Sequence, residues 1–281
     1  MSELKLLKKH KSFGGWVEFY SHPSSSTKTD MGFSFYRPPQ AQSGKVPVLI
    51  WLSGLTCTEE NFIAKAGAQR FASEKGIMVV CPDTSPRGTN IPGEHDSWDF
   101  GAGAGFYLNA TTELWKNNYR MYDYVANELL ELMKTEFPAD MSRVGIFGHS
   151  MGGHGALTIA LKNPGKFRSV SAFSPIVAPT QCPWGIKAFT NYLGEDRTTW
   201  NDYDSCELIK KATVKLPTLI DQGTNDEFLD TQLKPGLLLD VCKKFDYPVN
   251  FRMQEGFDHS YYFISTFIKD HIDFHDQNLS T

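Results

Sequence analysis

The chain lacks most of what marks a secreted, membrane-bound or nucleic-acid-binding protein. Its five cysteines, Cys57, Cys81, Cys182, Cys206 and Cys242, are odd in number and include no C-x-x-C pair. That argues against both a disulfide framework and a zinc site. Long apolar runs are missing as well: "VLIWL" falls far short of the ~20 residues a helix needs to cross a bilayer. The net charge is only −4, with no basic stripe and no block of like charge, which removes the electrostatic footprint of a nucleic-acid or anionic-membrane partner. The opening "MSELKLLKKHKSF" has no apolar stretch leading to a small-residue cleavage site, and the closing "NLST" matches no lipidation or retention signal. These absences predict a reduced, cytoplasmic protein whose partner is a small molecule or another protein. No internal repeat and no long linker interrupts the chain, so a single domain spanning 1–281 is expected.

What is present suits a large core: 41% hydrophobic residues and 13% aromatics. Two alternating segments, "WVEFYSH" (16–22) and "GFSFYRP" (32–38), flank the Ser/Thr-rich "PSSSTKTD" and predict an antiparallel hairpin with a loose loop. Short apolar, β-branched runs follow at 46–52, 77–82, 143–148, 169–175, 217–223 and 249–256. Helical spacing recurs at 61–75, 119–137, 151–162, 229–245 and 260–275. Strands alternating with helices predict an α/β fold with a mostly parallel sheet covered on both faces. Two stretches break the alternation, 83–118 and 176–204. Both are rich in large aromatics, and both are expected to form walls of a pocket.

Between a strand-like "RVGIF" and a helix-like "GGHGALTIALKN" lies Gly148-His149-Ser150-Met151-Gly152, which satisfies G-x-S-x-G. A strand-to-helix turn this tight excludes side chains at the glycine positions and lifts the serine hydroxyl over a helix N-terminus. Serine at its free pKa is a weak nucleophile and needs a base oriented by an acid. In the chain order Ser, acid, His, the base is His259 in "EGFDHSYYF", just past a predicted strand. His271 and His275, spaced i, i+4, are expected on an exposed helix end. The segment "PTLIDQGTNDEF" offers Asp221, Asp226 and Glu227 as the acid. Asp226, in a Gly-containing loop, is favoured, with Asp221 reserved for a structural contact. Oxyanion donors are expected from the backbone N–H of Met151 and, in the loop "LSGLTC", from that of Leu55.

Taken together, "WLSGLTCTEENF", "DTSPRG", "DFGAGAGFYLNAT", "GHSMGGHGAL", "SAFSPI", "DQGTNDEF" and "DHSYYFI" resemble the S-formylglutathione hydrolases, the esterase D family, from about residue 5 to residue 275. The resemblance implies an α/β-hydrolase fold with an N-terminal antiparallel hairpin and a cytosolic homodimer that works without metal or cofactor. It also implies the activity, hydrolysis of S-formylglutathione to glutathione and formate in formaldehyde detoxification. Carried over by motif, it places the triad on Ser150, Asp226 and His259 and the oxyanion hole on Leu55 and Met151. Cys57 then matches the family's thiol beside the site. Trp98, Phe100, Phe106 and Tyr107, from "SWDFGAGAGFY", are expected to line the substrate pocket, with Arg87 or Lys187 as cations for the glutathione carboxylates. A general carboxylesterase or acyltransferase with the same triad stays open at this point, because fold and triad set the chemistry and not the substrate. A catalytically silent module would be expected to have lost a triad member.

Overall fold

The computed structural model describes residues 4–280. Nine strands form one sheet: β1 (Lys5–Ser12), β2 (Gly15–Pro23), β3 (Asp30–Arg37), β4 (Val46–Leu52), β5 (Met78–Pro82), β6 (Ala139–His149), β7 (Ser169–Phe173), β8 (Thr218–Gly223) and β9 (Asn250–Gln254). Their spatial order is β1-β2-β3-β5-β4-β6-β7-β8-β9. The first four in that order run antiparallel, and from β5 onward every neighbour is parallel. This is the α/β-hydrolase arrangement expected, with the hairpin β2–β3 at its N-terminal side.

The β4 strand explains why the sheet needs cover on both faces. Val48, Ile50 and Leu52 feed one hydrophobic cluster, while Leu49 and Trp51 feed the other. Trp51 stacks on Phe62, with ring centres 3.9 Å apart, which ties the helix Glu59–Lys65 to the sheet. A strand buried on both faces reads as a near-continuous apolar run, and that is how β4 and β5 are written.

Four features depart from the sequence expectation. The strand β1 was not foreseen, because "KLLKKHKS" is exposed along its length and owes its extended form to pairing with β2. The helix expected over 61–75 is two helices, Glu59–Lys65 and Ala68–Lys75, divided at Gly67, whose φ of 69° a helix interior cannot hold. The loop between β2 and β3 is anchored, not loose. The Glu128 carboxylate accepts from the Ser24 hydroxyl (2.8 Å) and from the backbone N–H groups of Ser25 (2.7 Å) and Ser26 (2.9 Å). Within 176–204 lies a further helix, Pro183–Leu193, whose Tyr192 stacks on Phe100 and on Tyr119. The aromatics of 83–118 therefore pack mostly against that helix and form core.

Candidate active site

The elbow is built by close backbone approach. Strand β6 ends at His149, the helix Met151–Lys162 begins at once, and Ser150 between them is held at φ 57°, ψ −119°. A Cβ on Gly152 would stand 1.9 Å from the Leu52 carbonyl oxygen, and one on Gly148 would stand 2.3 Å from that of Gly152. Only glycine lets β4, β6 and the helix meet this closely. The strain at Ser150 is the cost of aiming its hydroxyl off the carboxyl end of the sheet.

From the ends of β8 and β9 come the other two side chains. His259 Nδ1 and Asp226 Oδ2 are 2.6 Å apart. The other Asp226 oxygen accepts from the Phe228 backbone N–H (2.9 Å), and the Gln222 amide donates weakly to Oδ2 (3.3 Å). Burial pushes the Asp226 carboxyl up, but the hydrogen bond and charge of His259 outweigh it, and the net displacement is downward. With Asp226 ionised and accepting from Nδ1, the lone pair of His259 sits on Nε2. His259 and Ser150 line the same cavity of about 320 Å³. No hydrogen bond joins the two, and contacts of this kind often close only in the substrate complex.

Asp221 is spent elsewhere. It is fully buried, takes two bonds from Arg252 (2.6 and 2.5 Å) and lies 3.2 Å from His271 Nε2. Burial alone would raise its pKa, yet His271 and Arg252 bring it down to about 2. The expectation that His271 and His275 sit on an exposed helix end is wrong, since both are fully buried. They lie on the inner face of the helix Tyr261–Leu279, where the Ser171 hydroxyl bridges His271 Nδ1 and His275 Nε2 (2.8 Å each) and Ser169 reaches His275 Nδ1 (2.7 Å).

Over the elbow lies the loop 53–57. A Cβ on Gly54 would come within 3.2 Å of the Ser150 Cβ, so loop and elbow serine are in contact. The N–H groups of Leu55 and Met151 donate to no acceptor among the described residues, whereas their neighbours are committed: Thr56 N–H to Gly103 and Ser150 N–H to Phe173. The loop is braced from behind. The Tyr107 hydroxyl donates to the Ser53 carbonyl (2.8 Å), the Trp51 indole to the Ser53 hydroxyl (2.9 Å), and Thr84 and Arg87 to the Cys57 carbonyl (2.5 and 3.1 Å).

Of the side chains expected to line the pocket, Cys57 and Trp98 do, and Phe100, Phe106 and Tyr107 do not. Phe106 and Tyr107 are fully buried and Phe100 nearly so. The helix Pro183–Leu193 covers Phe100 through Tyr192 and Phe106 through Phe189, while Tyr107 packs against Gly155 of the helix Met151–Lys162. Arg87 is paired with Asp83 (2.6 Å), and Lys187 with Asp99 (2.5 Å) and the Ser97 hydroxyl (2.7 Å). Neither lines the cavity.

The sequence reading missed Trp184, Phe228, Tyr261, Asn61, Lys65 and His149, all on the lining. Phe228 meets His259 edge-on at 5.0 Å, Trp184 leans on Phe228 at 4.7 Å, and Trp98 meets Trp184 at 5.5 Å. His149, the variable residue of the elbow motif, packs its ring 4.3 Å from that of His259. Burial, and then the neighbouring His259, hold its pKa well below the usual histidine value, so it is neutral. Burial pushes the Cys57 thiol up, which disfavours thiolate at neutral pH.

A serine on a strand–helix elbow, with an Asp–His pair arriving from later strand ends, defines a serine esterase of the α/β-hydrolase class. The Esterase family model matches residues 24–274. The chain is 57% identical over 280 residues to the S-formylglutathione hydrolase of Rattus norvegicus, covering 99% of each, and 57% identical to that of Bos taurus over 279 residues with the same coverage. The S-formylglutathione hydrolase structure from Agrobacterium tumefaciens superposes with a TM-score of 0.95 at 50% identity, covering 98% of this chain and 99% of that one. The chain belongs to the S-formylglutathione hydrolase family.

Proposed function

We propose that this enzyme hydrolyses S-formylglutathione to glutathione and formate, with Ser150 as nucleophile, His259 as general base and then acid, and Asp226 as the group that orients His259. The observation that carries the mechanism is the 2.6 Å Asp226–His259 contact in a cavity shared with the strained Ser150. The full-length 57% identity to enzymes of that name carries the substrate. Ser150 Oγ adds to the formyl carbon while its proton passes to His259 Nε2. The oxyanion is received by the N–H groups of Leu55 and Met151, both without a protein acceptor. Collapse breaks the C–S bond, His259 returns the proton to the departing thiolate, and a formyl ester remains on Ser150. Water, deprotonated by His259, then releases formate.

Every step is supplied by side chains and backbone of this chain. The reading places the enzyme late in glutathione-dependent formaldehyde detoxification, as a cytoplasmic homodimer over the single domain 1–281. Among the described residues no helix is long and apolar enough to cross a membrane. The test is kcat/KM for S-formylglutathione beside p-nitrophenyl acetate. A strong preference for the thioester, abolished in Ser150→Ala by at least about 10⁴-fold, is expected. Greater efficiency on the aryl ester would turn the assignment toward a general carboxylesterase. Sedimentation velocity checks the dimer.

A further inference from the structure

Lys65 is the last residue of the helix Glu59–Lys65, the first element after the loop 53–57. Its side chain lines the cavity that holds Ser150 and His259. The ammonium stands 5.5 Å from the centre of the Tyr261 ring. At Cys57 it works against the burial that pushes that thiol up. Among the described residues it enters no ion pair. On the same helix Glu60 is taken by Lys8 (2.6 Å), and Asp83, which acts on Cys57, by Arg87 (2.6 Å). No carboxylate lines the cavity, although the chain as a whole carries a net charge of −4.

One turn earlier on the same helix, at i−4, Asn61 also lines the cavity. Its Oδ1 accepts from the Thr58 backbone N–H (2.8 Å) as part of the helix cap. That fixes which end of the amide faces the cap and leaves Nδ2 as a donor without a protein acceptor. An ammonium and an amide N–H₂ on one helix face, in a cleft without acids, form a two-point receptor for a carboxylate.

A glutathionyl thioester offers two carboxylates to such a receptor. The one on the γ-glutamyl end carries its own ammonium next to it, so its charge is balanced within the ligand. The glycyl carboxylate has no such neighbour. We propose that Lys65, with Asn61, forms the subsite for the glycyl carboxylate of the glutathione leaving group, and that this pair sets the preference for anionic over neutral thioesters. The inference rests on the hydrolase reading above and adds to it the residues that hold the far end of the substrate. The helix brings them there because its cap, Thr58, follows directly on the oxyanion loop, so one rigid segment links the reacting carbonyl to the distal anchor.

The test compares S-formylglutathione with its glycine amide, which differ only in that one charge. The unaltered enzyme is expected to favour the acid by about fivefold in kcat/KM, the upper range of a contact made by an exposed lysine, expressed mainly in KM. Lys65→Gln should bring the acid-to-amide ratio to near one, Lys65→Arg should keep it, and Lys65→Glu should invert it. A ratio in Lys65→Gln equal to that of the unaltered enzyme, or an equal loss on acid and amide, overturns the subsite while leaving the hydrolase reading intact. No turnover of either thioester by the unaltered enzyme would instead refute the hydrolase reading, and the subsite with it.

Discussion

At the scale of single residues, the site turns on which carboxylate is spent where. Asp221 and Asp226 are five positions apart and both buried, yet Arg252 and His271 consume the first, and only the second reaches His259. Asp226→Asn keeps the shape of the acid but loses the charge that favours the Nδ1–H tautomer and the imidazolium. Its kcat should fall about 10³- to 10⁴-fold with little change in KM, measured on the thioester at neutral pH. Asp221→Asn, by contrast, should act on stability, since it leaves the Arg252 guanidinium half-paired. An activity loss as deep as that of Asp226→Asn would reverse the assignment. His149 shows what motif reading passes over. The variable position of the elbow looks free in sequence, yet its neutral ring is packed against that of His259.

At the scale of elements, the stretch 83–107 supports the loop 53–57 and contributes little of the pocket's surface. Phe106 and Tyr107 both sit at φ 49°, a strained backbone for aromatic residues. The His154 Nε2 contact to the Phe106 carbonyl (3.0 Å) and the Tyr107 hydroxyl on the Ser53 carbonyl hold that conformation. The Ser53 carbonyl lies two residues before Leu55, so the brace fixes the peptide that aims the Leu55 N–H. Removing only the hydroxyl, in Tyr107→Phe, should lower kcat about tenfold with KM nearly constant and cost about 1 kcal/mol of stability. A change in KM alone would mean that Tyr107 touches substrate. The helix Glu59–Lys65 is bound to the same loop through its Thr58–Asn61 capping box, so cap and site are one unit.

At the scale of the whole molecule, five histidines among the described residues are buried and have their pKa lowered: His22, His149, His154, His271 and His275. Burial is the first cause in each, and His154 is brought down to about 4. A histidine whose folded pKa lies below its unfolded value of about 6.5 favours the unfolded chain as pH falls, because that chain takes up the proton first. The stability it contributes is complete above about 6.5 and is lost as pH drops from there toward the folded value. For His154 the loss between pH 7.5 and pH 5 is about 2 kcal/mol. Urea midpoints should therefore fall over that interval, and His154→Gln should make the fall shallower. An unchanged slope would show that His154 is not among the groups responsible. Asp221 acts lower on the scale, its contribution fading only as pH falls from about 4 toward 2.

Much of this was legible in the chain itself. The buried strands announce themselves as β-branched runs, and the helix Met151–Lys162 appears at the boundaries its spacing predicts, because period and turn chemistry are local. The elbow serine, Ser150, was equally plain, since a strained elbow can be written with only a few residue types. What only the tertiary structure decided is where rings and charges end up after packing. Phe100 and Phe106 look like pocket residues until the helix Pro183–Leu193 covers them, and Tyr107 until it packs against Gly155. His271 and His275 look like a polar helix end until hydroxyls on β7 meet them. Arg87 and Lys187 look like free cations until Asp83 and Asp99 claim them, while Lys65 gave no signal at all. Local sequence determines backbone form, because its forces act over a few residues. The partner of a ring or a charge is set by distance in space, and residues far apart in sequence compete for it.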